Sequence, residues 1–302
     1  MIPSSFLSKL ETISIAIMVQ KMNLKKFDEP STFYNVIKRD FSNNLMENDL
    51  MLGLTRLLRD YPKQFNNFYY LATVEQDGKS VLSAFLTPPW NILVHAADEI
   101  DEVPYRILVD HLIVNEISLP GVNGRTNVSK RFADIWCASA KTVKKIHTEM
   151  RLFILTSVNK VKLARGRLVK ADPRHYDLLL DWAQKFHEDV RLDVGDNYLR
   201  KHLETTVETG NAFIWVDGEP VCMTFRERPH DDGVSIGYVY TPPKLRGHGY
   251  ATSCVKTVSE RTLREGYGYC SLFTDRANPT SNSIYKKIGY RPACDYLYYL
   301  FE

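Results

Sequence analysis

The chain has 302 residues, 44% hydrophobic and 25% charged, a balance that excludes disordered and collagen-like chains and, at this length, predicts two domains. Thirty-nine basic against thirty-six acidic side chains leave a formal charge of +3, too little to mark a nucleic-acid binder without a concentrated basic patch. The five cysteines are odd in number and contain no C-x-x-C pair, which argues against a disulfide framework or a zinc site and predicts a reducing cytoplasm and no metal.

The apolar run Ile13 to Val19 follows Glu11, stops at Gln20-Lys21 and is too short to cross a bilayer, so residues 1–30 read as an N-terminal extension and no membrane contact is expected. Phe33, Val36, Ile37 and Phe41 recur at helical spacing, as do Leu50, Leu54, Leu57 and Leu58 before Pro62, and two helices are predicted. Phe68 to Val74 reads as a strand, Asp77-Gly78 as a tight turn and Ser80 to Leu86 as the hairpin partner, closed by Thr87-Pro88-Pro89. The cluster Lys141, Lys144 and Lys145 reads as the solvated face of a helix. A strand-like Leu152 to Leu155 then gives way to polar sequence between Thr156 and Leu163, which sets domains at 31–160 and 161–302.

The second half opens with a strand, Arg167 to Lys170. Asp172 follows as an N-cap with Pro173 at the first helical position, and Tyr176, Leu179, Leu180, Ala183 and Phe186 form a buried stripe. Phe213 to Val216, Asp217-Gly218 and Val221 to Phe225 repeat the earlier hairpin, and Thr241-Pro242-Pro243 repeats its ending, which suggests duplication of one fold. Aromatic residues Trp182, Phe213, Trp215 and Tyr238 suit either a core or a cleft.

Val234 to Tyr240 is a strand that runs through Thr241 into Arg246-Gly247-His248-Gly249-Tyr250-Ala251. A helix follows, with Ala251, Cys254, Val255, Val258 and Leu263 at helical spacing and Gly266 as its stop. Strand, glycine turn, helix is an arrangement that offers backbone N–H groups and the positive end of a helix dipole to a pyrophosphate. No lysine followed by Ser or Thr stands at the helix start, so the turn is not a Walker A loop. Gly247 and Gly249 supply only part of a dinucleotide fingerprint, and about fifty residues remain after Thr252, too few to complete a dinucleotide sheet. Coenzyme A also carries a pyrophosphate.

Arg246-x-x-Gly249-x-Ala251 resembles the R/Q-x-x-G-x-A/G signature of the GNAT acetyltransferase superfamily. Its companion is Asn278-Pro279-Thr280-Ser281-Asn282-Ser283-Ile284-Tyr285-Lys286-Lys287-Ile288-Gly289-Tyr290, which resembles the family's asparagine-led helix. The resemblance covers roughly Arg165 to Glu302, and the first half looks like a diverged second copy without the glycine turn, since Leu119 to Gly124 is no convincing substitute. It implies an α/β (α+β) chain of two tandem GNAT-like domains, each a mixed, mostly antiparallel sheet flanked by helices, with only the second binding cofactor.

The activity so implied is N-acetyl transfer from acetyl-CoA to a primary amine on a small-molecule or peptide acceptor, by a monomer or homodimer. The alternative is an acyl-CoA sensor or scaffold without catalysis. By resemblance, backbone N–H groups of Val239, Tyr240 and Thr241 hold the pantetheine arm. Arg246, Gly247, His248, Gly249, Tyr250 and Ala251 surround the pyrophosphate, and Asn278 and Ser281 complete the cofactor site. Tyr285 maps onto the general acid, or packs on the sheet; Asn278 orients the cofactor or caps its helix. Glu227, at the end of the preceding strand, is the candidate base, or an exposed acid between Arg226 and Arg228.

Overall fold

A computed structural model describes residues 22–65, 68–96, 100–191 and 195–302. In chain order the elements are β1 (Met22–Lys26), α1 (Pro30–Asp40), α2 (Asp49–Asp60), β2 (Tyr70–Gln76), β3 (Lys79–Leu86), β4 (Ile92–Ala96), α3 (Glu102–Val114), β5 (Gly121–Arg125), α4 (Thr126–Ala140) and β6 (Lys144–Leu155). There follow β7 (Arg167–Lys170), α5 (Tyr176–Val190), α6 (Asp196–Glu208), β8 (Ala212–Asp217), β9 (Glu219–Glu227), β10 (Gly233–Tyr240), α7 (Tyr250–Arg264), β11 (Tyr269–Asp275), α8 (Pro279–Ile288) and β12 (Arg291–Phe301). They fall into two compact units. One takes residues up to Met51, Phe65–Glu149 and Tyr296–Glu302; the other takes Leu52–Gln64 and Met150–Asp295.

In the first unit β1, β2, β3 and β4 pair antiparallel in turn, β4 and β5 pair parallel, and β5 pairs antiparallel with Tyr296 to Leu300 of β12. In the second, β7, β8, β9 and β10 pair antiparallel in turn, β10 and β11 pair parallel, and β11 pairs antiparallel with Met150 to Leu155 of β6. The same ladder therefore occurs twice, as the repeated hairpin suggests, and each unit is a mixed, mostly antiparallel sheet with helices. What the sequence does not reveal is the partner of each unit's last strand. The stretch Leu152 to Leu155 belongs to the second unit because it pairs with β11, and the C-terminal residues belong to the first because they pair with β5. The structural division thus precedes the boundary read from the polar stretch.

Of the expected extension, residues 1–21 lie outside the described ones, the apolar run Ile13 to Val19 among them. Met22–Lys26 is a strand rather than extension, because Met22 and Leu24 alternate onto the first unit's core while the strand pairs with β2. The lysine cluster lies on no common helix: Lys141 closes α4 in the left-handed conformation and Lys144 opens β6. Asp172 does cap its turn, accepting from the Arg174 N–H at 3.0 Å, and α5 begins just after it. Among the described residues no helix is long and apolar enough to cross a membrane. All five cysteines are free thiols.

Candidate active site

The candidate site lies in the second unit, where β10 stops following its neighbours. Its parallel ladder with β11 spans Gly233 to Ser235 against Tyr269 to Ser271, and its antiparallel ladder with β9 is bulged between Gly237 and Tyr240. The residue within that bulge, Tyr238, has φ of 50°, a left-handed conformation that a bulky side chain adopts only where its surroundings hold it. Beyond Ser235 the β10 edge facing β11 is thus released from its parallel ladder, and Val239, Tyr240 and Thr241 follow the bulge on that stretch. The Thr241 side-chain oxygen is buried without a hydrogen-bond partner.

Chain direction then reverses through Pro243–Leu245 into the glycine bend. Gly247 and Gly249 have φ of 86° and 81°, so both require a residue without a side-chain penalty at positive φ. A Cβ on Gly247 would meet nothing within 4 Å, and one on Gly249 would meet only Ala164, at 3.9 Å, so open space lies over the bend. Gly249 is the N-cap of α7 and has no side chain to satisfy the first amides of the helix; the Ser253 N–H closes the first helical bond on its carbonyl. Exposed amides at a helix start suit an anion, and the bend fits a pyrophosphate in shape and polarity.

The side chains around the bend are occupied in bracing it. Arg246 packs along the loop, donating to the Thr241 carbonyl at 3.0 Å and to Asp189 at 2.6 Å. His248 is exposed, with Nδ1 donating to the Arg246 carbonyl at 3.0 Å and its ring stacked on Tyr250. Tyr250 donates its hydroxyl to Asp217 at 2.9 Å, while Ala251 continues α7. Backbone, rather than basic side chains, is what the bend leaves available.

The asparagine-led helix is α8. The Asn278 side chain accepts from the Ser281 N–H at 3.0 Å, so the capping role holds, and both residues spend polar atoms on that cap. Tyr285 is 8% exposed, in a cluster with Phe153 and Tyr290 whose ring centroids lie 6.4 and 6.0 Å away; Val239 packs at the edge of the same cluster. Packing on the sheet is thus one of its roles. Burial, with the nearby Cys222 thiol adding, raises its pKa further above a thiol's than an ordinary phenol's is, so its proton stays on at neutral pH and leaves only to a strong base in contact.

Glu227 is not the exposed acid that Arg226 and Arg228 suggest: it is 6% exposed. One carboxylate oxygen lies 3.1 Å from His202 Nε2 and the other 3.8 Å from Arg228 Nη1. Burial alone would raise its pKa, but the charge and hydrogen bond of His202, with Arg228 and His187, outweigh it and hold the carboxyl below its usual range. The neighbours are aromatic. Tyr198 stacks on His202 at 6.0 Å, Tyr238 lies 5.3 Å from the His202 ring, and the Tyr238 hydroxyl is 3.0 Å from His187 Nε2. The sequence reading passes over His187, Tyr198 and His202. The signal for His202 is nevertheless present: with Leu199, Leu203, Thr206 and Val207 it forms the buried stripe of α6, at spacings of three and four. A histidine within such a stripe needs a polar partner.

The family model described as FR47-like protein matches residues 221–299, which contain β10, the bend, α7 and α8. No curated protein matches the chain. Solved structures do: an acetyltransferase of the GNAT family from Colwellia psychrerythraea is 11% identical with a TM-score of 0.59, over 93% of this chain and 100% of that one. A GCN5-related N-acetyltransferase from Sphaerobacter thermophilus is 12% identical with a TM-score of 0.60, over 93% and 96%. A tandem GNAT protein from the clavulanic acid biosynthesis pathway is 11% identical with a TM-score of 0.56, over 93% and 98%.

The chain has the tandem GNAT fold.

In the GNAT fold of the first unit the β4–β5 ladder pairs Ile92 and Leu93 with Val122 and Asn123, and contacts bridge the two strands beyond it. A Cβ on Gly124 of β5 would lie 2.5 Å from the Val94 carbonyl of β4, and Arg125 at the end of β5 donates to the Ala96 carbonyl at 2.8 Å. Arg125 also pairs with Glu47 at 2.5 Å. These contacts bridge β4 and β5 just beyond their ladder, and β5 runs into α4 with no glycine bend between them.

Proposed function

We propose that the second GNAT unit binds acetyl-CoA and transfers its acetyl group to a primary amine. The observation that carries this reading is the exposed, uncapped start of α7 beside a β10 edge that has left its parallel partner. Backbone amides of Gly247, Gly249, Tyr250 and Ala251 would hold the pyrophosphate, with Arg246 and His248 bracing the bend. Val239, Tyr240 and Thr241 would hold the pantetheine arm and direct an N–H to the carbonyl oxygen, where charge grows during transfer. Asn278 and Ser281 fix the start of α8, and that helix carries Tyr285.

Acetyl-CoA supplies an acyl group already activated as a thioester. The rest falls to the chain: an amine freed of its proton, an oxygen stabilised by an amide, and a proton returned to sulfur. Tyr285 is the group proposed to return it. Its raised pKa keeps it protonated at working pH and makes the transfer to a thiolate more uphill than from an ordinary phenol. The bridged β4–β5 edge of the first unit, with no glycine bend after it, supports one cofactor per chain. A reducing cytoplasm is the compartment proposed, supported by the free thiols.

The test is a Tyr285→Phe variant assayed beside the unaltered protein. Acetyl-CoA affinity is expected to stay within about twofold while kcat falls by about 100-fold, the usual contribution of a positioned acid. Equal loss of affinity and turnover would remove the acid role and leave Tyr285 as packing.

A further inference from the structure

Tyr238, whose left-handed turn forms the bulge, is followed directly by the amides proposed to meet the thioester. Glu227, His202, Tyr198 and His187 surround that tyrosine. Since Glu227 is held ionised, its carboxylate only accepts hydrogen bonds, so His202 Nε2, 3.1 Å away, carries a hydrogen and donates it. In the neutral ring the other nitrogen, Nδ1, bears the lone pair. That is the tautomer a base needs, fixed by a carboxylate behind the ring.

Accessibility separates the two members of the pair. The His202 side chain is 11% exposed and the Glu227 side chain 6%. Glu227 has His202 on one oxygen and Arg228 near the other, and a Cβ on Gly237 would stand 2.9 Å from its Cγ, so β10 closes over its stem. Of the two, the histidine keeps the more exposed side chain, and the carboxylate is the more enclosed.

We infer that His202 is the base that frees the acceptor amine, and that Glu227 is the positioning residue behind it, an inference that rests on the acyl-transfer reading above. The ammonium gives a proton to the His202 Nδ1 lone pair, and the amine nitrogen forms its bond to the acetyl carbon. The carbon–sulfur bond breaks with its electron pair on sulfur, and sulfur takes the Tyr285 proton. The acetylated nitrogen gives its second proton to the Tyr285 phenolate, and the imidazolium, stabilised meanwhile by Glu227, returns its proton to solvent. The groups around the His202–Glu227 pair are Tyr198 on the helix of His202, His187 on α5, Arg228 just after β9 and Tyr238 on β10. Burial pushes Tyr198 up to about 12, with the Glu227 charge adding, so it stays neutral through the working range.

The full chain is assayed for thiol release from acetyl-CoA with phenethylamine, spermidine and Nα-acetyl-lysine, at pH values from 5.5 to about 9 that cover ordinary imidazole titration. His202→Gln is expected to bind acetyl-CoA as the unaltered protein does, to lose about 100-fold in kcat and to lose the acid limb of its kcat/KM profile. Glu227→Gln, which conserves shape should the histidine variant fail to fold, is expected to lose about 10-fold or more in kcat and to shift that limb. Glu227→Asp is expected to restore part of the loss. If His202→Gln or Glu227→Gln keeps kcat and an unchanged limb while the protein is active, the pair is a packing contact and only this inference fails. If the unaltered protein binds acetyl-CoA yet acetylates none of these amines, the transferase reading and the base fail together, and a binding protein remains.

Discussion

His95 illustrates how one buried residue sets a property of the folded chain. It sits on β4, 2% exposed, edge-on to Phe41 at 4.7 Å, and neither ring nitrogen has a hydrogen-bond partner. Burial, with the Arg125 charge adding, pushes its pKa down to about 3. A lowered folded value means that the unfolded chain binds the extra proton first. The stability is therefore whole above an ordinary histidine pKa of about 6.5 and is lost as pH falls toward the folded value. Urea unfolding across that interval is expected to show stability declining by up to about 1.4 kcal/mol per pH unit from this residue, and His95→Leu is expected to flatten the slope. An unchanged slope in the variant would mean that His95 already carries a proton in the folded chain.

At the same scale, side chains differ in how much of their role is written locally. The positive φ of Gly247 and Gly249 follows from their lack of a Cβ, and Asn278 ahead of Pro279 marks a helix cap on sight. Tyr285 is harder, since a tyrosine in a helix is both a packing group and an acid, and its burial comes from strands remote in sequence. Glu227 misleads because its neighbours in sequence are arginines, whereas its partner in space is a histidine on α6.

Among the elements, α7 and α8 are the ones that shape the candidate site, and they start differently. Helix α8 is closed by a side chain: replacing Asn278 with Ala is expected to cost about 1 kcal/mol. That corresponds to a fall of about 2–4 °C in melting temperature for a unit of this size. Helix α7 is left open. Gly249→Val forces a branched residue to φ of 81°, at a strain of about 1–2 kcal/mol, and places methyl groups in the space above the bend. Acetyl-CoA affinity is expected to fall by about 10-fold or more, a loss of about 1.4 kcal/mol in binding. Affinity unchanged by Gly249→Val would place the pyrophosphate elsewhere. Strand boundaries near the site were readable because hairpins announce themselves through turns such as Asp77-Gly78 and Asp217-Gly218. Helix α6 carries its stripe in the sequence, but the polar cluster around Tyr238 joins residues of separate elements and has no local signature.

For the whole molecule, duplication is the organising fact. Each half of the chain runs strand, two helices, three antiparallel strands, helix, parallel strand, helix, and ends on a strand whose partner is distant in sequence. The repeat was legible in the hairpins and the Thr-Pro-Pro echoes, but the destinations of β6 and β12 were not, because pairing is decided by the register of whole strands rather than by local composition. The two copies differ where function is concerned. Arg125 and Gly124 hold β4 and β5 together, while the β10–β11 ladder ends after Ser235 and a glycine bend follows. A duplicated fold with one retained site is expected to bind one cofactor, and a chain with two equal sites is expected to bind two.

The most direct measurement is a calorimetric titration of the full chain with acetyl-CoA. One site per chain with Kd tighter than about 1 mM, a binding free energy of at least about 4 kcal/mol, is the expected result. Absence of binding at millimolar acetyl-CoA, or saturation at two equivalents, would contradict a single pyrophosphate-binding bend at the start of α7.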